Sequence, residues 1–106
     1  MTLEDLKKIP LLQTALIAET AGADPETLNY IIECLNRFYS GDYGEICAED
    51  TEANNRELTE GFGHILAKYN QAHKLINDIY IESHFDKHNP NNIDYTNTLV
   101  MYIDER

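Results

Sequence analysis

The sequence changes period at Gly63. Upstream of it apolar residues recur every three or four positions, as on one face of a helix. Downstream, the segments HILAKY (64–69), LINDIYIES (75–83) and TLVMYI (98–103) are rich in aromatic and branched residues and are separated by polar turns. A chain ordered this way is α+β. It is expected to fold as N-terminal helices followed by a three-stranded antiparallel sheet. With 106 residues there is room for one hydrophobic core, so 1–106 is read as a single domain.

The helical half carries its own punctuation. Thr2-Leu3-Glu4-Asp5 has the form of a capping box, which predicts a short helix over 2–9 that Pro10 interrupts. The run LLQTALIAET (11–20) is apolar and short, and its pattern fits a buried helix and a buried strand equally. Gly22-Ala23-Asp24-Pro25-Glu26 marks a boundary: Gly22 ends what precedes it, Asp24 caps, and Pro25 suits a first helical position. Leu28, Ile31, Ile32, Cys34, Leu35 and Phe38 then form one apolar stripe. Gly41 and Gly44 close that helix, and a third, capped by Asp50 or Thr51, is expected to run to about Thr59 and stop at Gly61. The long segment 84–97, with Asn89-Pro90-Asn91-Asn92, is expected as a mobile surface loop.

Charge decides which partners suit the chain. Asp and Glu number 19 against 8 Lys and Arg, a formal net charge of −11. Phosphate backbones and anionic lipids are held by Lys and Arg, which are scattered here, so nucleic acid and membranes are poor partners and a basic protein surface is the natural complement. Acid is densest between Asp42 and Glu60, where seven carboxylates face only Arg56. The N-terminus has no basic start followed by an apolar run, and no stretch reaches the ~18 apolar residues of a membrane span, so a cytoplasmic location is expected. In that reducing setting Cys34, inside an apolar pattern, is a small core residue, and Cys47 is expected to be packed or partly exposed.

The motifs of catalysis are missing from the sequence. There is no nucleophile elbow, no Cys–His signature and no phosphate-binding glycine loop. Asp42, Glu45, Glu49 and Asp50 have the oxygen ligands a hard cation selects but not the spacing of a calcium loop. His84 and His88 have a zinc-like spacing but flank a strand end running into Asn-Pro. The expectation is therefore no enzyme, no catalytic residue, no metal and no cofactor. Seven tyrosines are many for this length, and Tyr43 and Tyr95, beside acid in expected loops, are the best interface candidates. With Asp42, Glu45, Glu49, Asp50, Glu52 and Glu57 they make a candidate partner-binding surface: carboxylates around aromatic anchors.

Several of these residues carry a resemblance. Gly41-Asp42-Tyr43-Gly44, Glu49-Asp50, Asn54, Gly63-His64-Ile65-Leu66 and Tyr69, with Tyr80-Ile81 and Asp86-Lys87, resemble a pattern in small plasmid- and prophage-borne bacterial proteins, sometimes called plasmid-related proteins. The resemblance implies a helix-then-sheet fold and a mobile-element origin. Such elements also encode anti-CRISPR and anti-restriction inhibitors. Together with the charge, this gives the leading expectation: an acidic inhibitor that mimics nucleic acid and binds a CRISPR effector or another basic, nucleic-acid-handling defence protein. The alternatives are a homodimeric plasmid accessory or antitoxin-type adaptor, with an exposed sheet edge pairing to its own copy, and a small metal-dependent hydrolase using the 42–50 carboxylates.

Overall fold

Thr2 opens the first helix as a capping box: its hydroxyl accepts the Asp5 amide at 3.2 Å, and the Asp5 carboxylate accepts the Thr2 amide at 2.9 Å. The computed structural model describes residues 1–70 and 78–106. This helix, α1 (Leu3–Lys7), ends before Pro10. The run 11–20 then holds both structures that its pattern allows. Leu11–Gln13 form a strand, β1, and Thr14 caps a helix, α2 (Ala15–Ala23), its hydroxyl accepting the Ile17 amide at 3.3 Å.

Gly22 lies inside α2 and does not end it. Asp24 does, capping α3 (Pro25–Tyr39) with Pro25 in the first turn. The buried face of α3 is Thr27, Tyr30, Ile31, Cys34 and Phe38, while Leu28 and Ile32 of the expected stripe stand 44% and 46% exposed. The face turns because Tyr30 and Thr27 can bury their bodies and still place their hydroxyls, on the Asn70 carbonyl and the Asp24 carboxylate respectively. The next helix, α4 (Ala48–Glu60), starts at Cys47, so Asp50 and Thr51 lie in its first turn instead of capping it. Gly61 closes it at φ 75°, the left-handed position that suits glycine.

Three longer strands follow: β2 (Phe62–Tyr69), β3 (Ile79–Asp86) and β4 (Asn97–Tyr102). They pair antiparallel in the order β4-β3-β2, and β1 adds to β4 in parallel, Leu12 opposite Leu99. The sheet is therefore four-stranded and mixed, correcting the expected three-stranded antiparallel sheet. A three-residue strand shows no period, and parallel pairing across most of the chain leaves no local mark. The second strand, described from Ile79, runs three residues further than expected, and positions 75–77 of that reading lie outside the described residues. The 87–96 segment folds as turns fastened at Thr96, whose hydroxyl donates to the Asn89 carbonyl at 2.9 Å.

One face of the sheet meets α1, α2 and α3. Ile65, Ala67 and Tyr69 of β2, Ile79, Ile81 and Phe85 of β3, and Val100 and Tyr102 of β4 bury there against Leu6, Ile17, Ile31 and Phe38. Each such large side chain contributes about 1.5–3 kcal/mol by leaving water. The buried hydroxyls of Ser83 and Thr98, side by side in this face, bond each other. Leu58 of α4, Tyr80 and Met101 are buried apart from that cluster, and the alternation of β3 and β4 places the last two on the opposite face.

Candidate partner-binding surface

The segment from Asp42 to Glu57 lies along the outer edge of β2 and satisfies its backbone groups one after another. The Lys68 amide donates to the Tyr43 carbonyl at 3.2 Å, and the Glu45 amide donates to the Lys68 carbonyl at 2.7 Å. The Glu45 carboxylate accepts the Asn70 amide at 2.9 Å, and that of Glu57 accepts the His64 amide at 2.6 Å. Between them Asn54 acts as a short piece of strand: its carbonyl accepts the Leu66 amide at 3.1 Å and its amide donates to the Leu66 carbonyl at 2.8 Å. The edge of an outer strand is thereby closed to further pairing.

The same contacts explain the Gly-Asp-Tyr-Gly motif. Gly44 has φ 74°, and a Cβ there would sit 2.1 Å from the Lys68 carbonyl oxygen, so only glycine brings the chain this close to β2. Asp42 holds the turn, accepting the Gly44 amide at 3.0 Å and the Arg37 Nε at 2.7 Å. Arg37, followed by the Gly44 amide, holds the Asp42 carboxyl below the usual carboxylate range. The Arg37 guanidinium also lies 4.8 Å from the centre of the Tyr69 ring, whose hydroxyl donates to the Asp42 carbonyl at 2.7 Å.

The eight expected site residues therefore divide. Asp42, Glu45 and Glu57 brace the β2 edge. Tyr43 is only 4% exposed and packs edge-on against Phe38 with ring centres 5.9 Å apart; its ring belongs to the core and is not a surface anchor. Glu49, Asp50 and Glu52 are exposed on α4, and Glu60 continues that acidic face. Among the described residues no ion pair joins any of these four to a cation. Arg56, one turn from both Glu52 and Glu60, is the one cation on the helix and lies on this same face, without an ion pair to either. Tyr95 is 57% exposed, but in a different place: it lines a cavity of about 350 Å³ with Phe62, His84, Asp86 and Asp94, and no other residue of the expected surface joins it.

His84 is paired with His64, not with His88. The two rings stack across neighbouring strands with centres 5.5 Å apart, His84 lying 3.3 Å from the Glu82 carboxylate and His64 3.9 Å from that of Glu57. Among the described residues no three His, Cys, Asp or Glu side chains converge as metal ligands, the 42–50 carboxylates included. Cys34 is buried and Cys47 exposed, both as free thiols, and burial pushes the Cys34 thiol up to about 12. Among the described residues no helix is long and apolar enough to cross a membrane.

Sequence reasoning missed the two-way grip of Asn54 and the histidine stack. A mid-helix Asn is a poor helix former, which is a signal that its side chain has other work. The stack has no such signal, because it depends on register.

No family model, curated protein or solved structure matches this chain. The likeness to plasmid- and prophage-borne proteins rests on the quoted residues alone, and within them Gly44, Asn54 and Tyr69 have structural duties.

Proposed function

We propose that this chain is an acidic binding protein that covers the phosphate-binding surface of a basic, nucleic-acid-handling bacterial protein and inhibits it, in the manner of an anti-CRISPR or other anti-defence factor. The observation that supports the reading best is the outer face of α4, where Glu49, Asp50, Glu52 and Glu60 have no cationic partner among the described residues. Two of the four stand in the first helical turn, where the positive end of the helix dipole stabilises them. Asn54 and Glu57 clamp the helix to β2, so the carboxylates are held in place before a partner arrives, which lowers the ordering cost of binding. The net charge of −11 adds long-range attraction to a basic cleft.

Immobilised protein incubated with bacterial lysate tests this reading. Nucleic-acid-binding proteins should be retained, and both duplex DNA and added salt should release them. The variant Glu49→Gln/Asp50→Asn/Glu52→Gln/Glu60→Gln should keep its fold and lose at least about tenfold in affinity for the retained protein. Retention that survives the four substitutions, or that duplex DNA does not disturb, overturns the proposal.

A further inference from the structure

The two edges of the sheet are treated in opposite ways. Side chains and a loop close the β2 edge, whereas the β1 edge is open. The Thr98 amide donates to the Pro10 carbonyl at 2.8 Å and the Thr14 amide to the Val100 carbonyl at 3.2 Å. In a parallel ladder this turns the backbone groups of 10, 12 and 14 toward β4, and those of Leu11 and Gln13 outward. Among the described residues, no hydrogen bond reaches the outward amides or carbonyls of Leu11 and Gln13. All three residues of β1 are exposed.

The surroundings of this edge are apolar. Leu11, Leu12, Gln13, Ile31, Leu35 and Val100 line a cavity of about 240 Å³ between β1 and α3, with no charged group among them. Leu28 and Ile32, the residues turned out of the core face of α3, are 44% and 46% exposed, and Leu11, Leu12 and Leu16 are 47%, 37% and 36% exposed. In a chain of net charge −11, this part of the surface is built from leucine and isoleucine.

We infer that β1 and the neighbouring face of α3 form a self-association surface, on which a second copy of this chain pairs its own β1 antiparallel about a two-fold axis through Leu12. The occupant follows from the register. With Leu12 on the axis, Leu11 stands opposite the second copy's Gln13 and Gln13 opposite its Leu11. Those are the residues whose backbone groups point outward. Each pair exchanges two bonds, so four hydrogen bonds use every open group of the two edges without remainder. The two sheets become one of eight strands. The exposed apolar side chains amount to roughly 400 Å² per copy, within the ~300–600 Å² of a typical monomer's largest patch. Doubled, that is about 800 Å² of apolar surface, to which the β1 backbones and the polar rim add area toward the ~1,200 Å² at which specific interfaces begin. A basic partner finds no carboxylate among the residues that line this cavity. Because both copies are acidic, the dimer strengthens as salt screens their repulsion, the reverse of the salt dependence expected at α4.

Sedimentation equilibrium over a range of concentrations, together with cysteine trapping, tests the inference. A dimer is expected, tighter at higher salt, and Leu12→Asp should turn it into a folded monomer as judged by circular dichroism. In a Cys47→Ser background, Leu12→Cys should oxidise to a covalent dimer, since residues on the axis come within the ~4.4–6.8 Å Cα separation a disulfide needs. Leu11→Cys faces Gln13 of the second copy and should not cross-link to itself. Gln13→Pro, which removes one outward amide, should weaken the dimer independently of Leu12. A monomer at every concentration overturns the inference and leaves the edge to an extended segment of some other protein. A dimer that Leu12→Asp leaves intact, or that cross-links through Leu11→Cys, overturns it as well. None of these measurements involves the α4 carboxylates, so this surface and the proposed inhibitor surface fail separately.

Discussion

Asn54 shows how one side chain can decide a local structure. It is 3% exposed and answers both the amide and the carbonyl of Leu66, a residue whose backbone would otherwise face a helix with nothing to bond. Asn54→Ala removes both bonds and leaves two buried backbone groups unpaired, so urea denaturation should show a loss of about 2–4 kcal/mol with an unchanged slope. A loss under ~0.5 kcal/mol would mean that water replaces the amide and that the pairing is incidental. Glu45 and Glu57 carry a related lesson. In the sequence they belong to an acidic surface, because residue type says that a carboxylate seeks donors and not whether those donors are water, a cationic partner or the edge of a strand. Tyr43 misleads for the same kind of reason: a tyrosine beside acid in a turn looks like an anchor, yet its ring is buried edge-on against Phe38.

Elements were legible in proportion to how locally they are specified. Thr2 with Asp5, Asp24 with Pro25, and Gly61 mark helix ends through chemistry contained within a few residues, and each stands where its pattern placed it. The β2 strand begins at Phe62, two residues ahead of the start expected after Gly63, the second of two close glycines. β1 was beyond reach, since its partner is more than eighty residues away and its three residues have no alternation to read. The rotation of α3 was equally hidden, because its apolar stripe can be read from the sequence while the side on which α2 and β3 pack cannot. One consequence of the closed edge is measurable at this scale. The amides of His64, Leu66 and Lys68, although they belong to an outer strand, should exchange with solvent as slowly as those inside the sheet, since each has an acceptor on α4 or the 42–45 turn. Under dilute conditions, where the chain is monomeric, the Leu11 and Gln13 amides should exchange far faster. If the two edges exchange alike in amide exchange followed by NMR, the bracing of β2 by α4 does not persist in solution.

At the scale of the whole molecule the dominant quantity is the net charge of −11 on a body 38 × 30 × 22 Å across. At about 0.01 M salt the Debye length is ~30 Å, comparable to the molecule, so every carboxylate repels every other; at about 0.1 M it is ~10 Å and only neighbours interact. Self-repulsion opposes the compact state, and screening relieves it. The melting temperature should therefore rise over that range. Relief on the order of 1 kcal/mol corresponds to about 4–8 °C in a domain of this size. The variant with Glu49, Asp50, Glu52 and Glu60 neutralised lacks four of the eleven excess charges, so it should melt higher than the parent in low salt and rise less as salt is added. That pairing of effects matters for the proposed function, because a surface held for a partner is kept at a cost to the free protein. Thermal melts of parent and variant across the salt series supply the check. If the variant melts lower in dilute salt, the carboxylates stabilise the fold, Glu49 and Asp50 through the dipole of α4, and their unpaired state no longer argues for a partner.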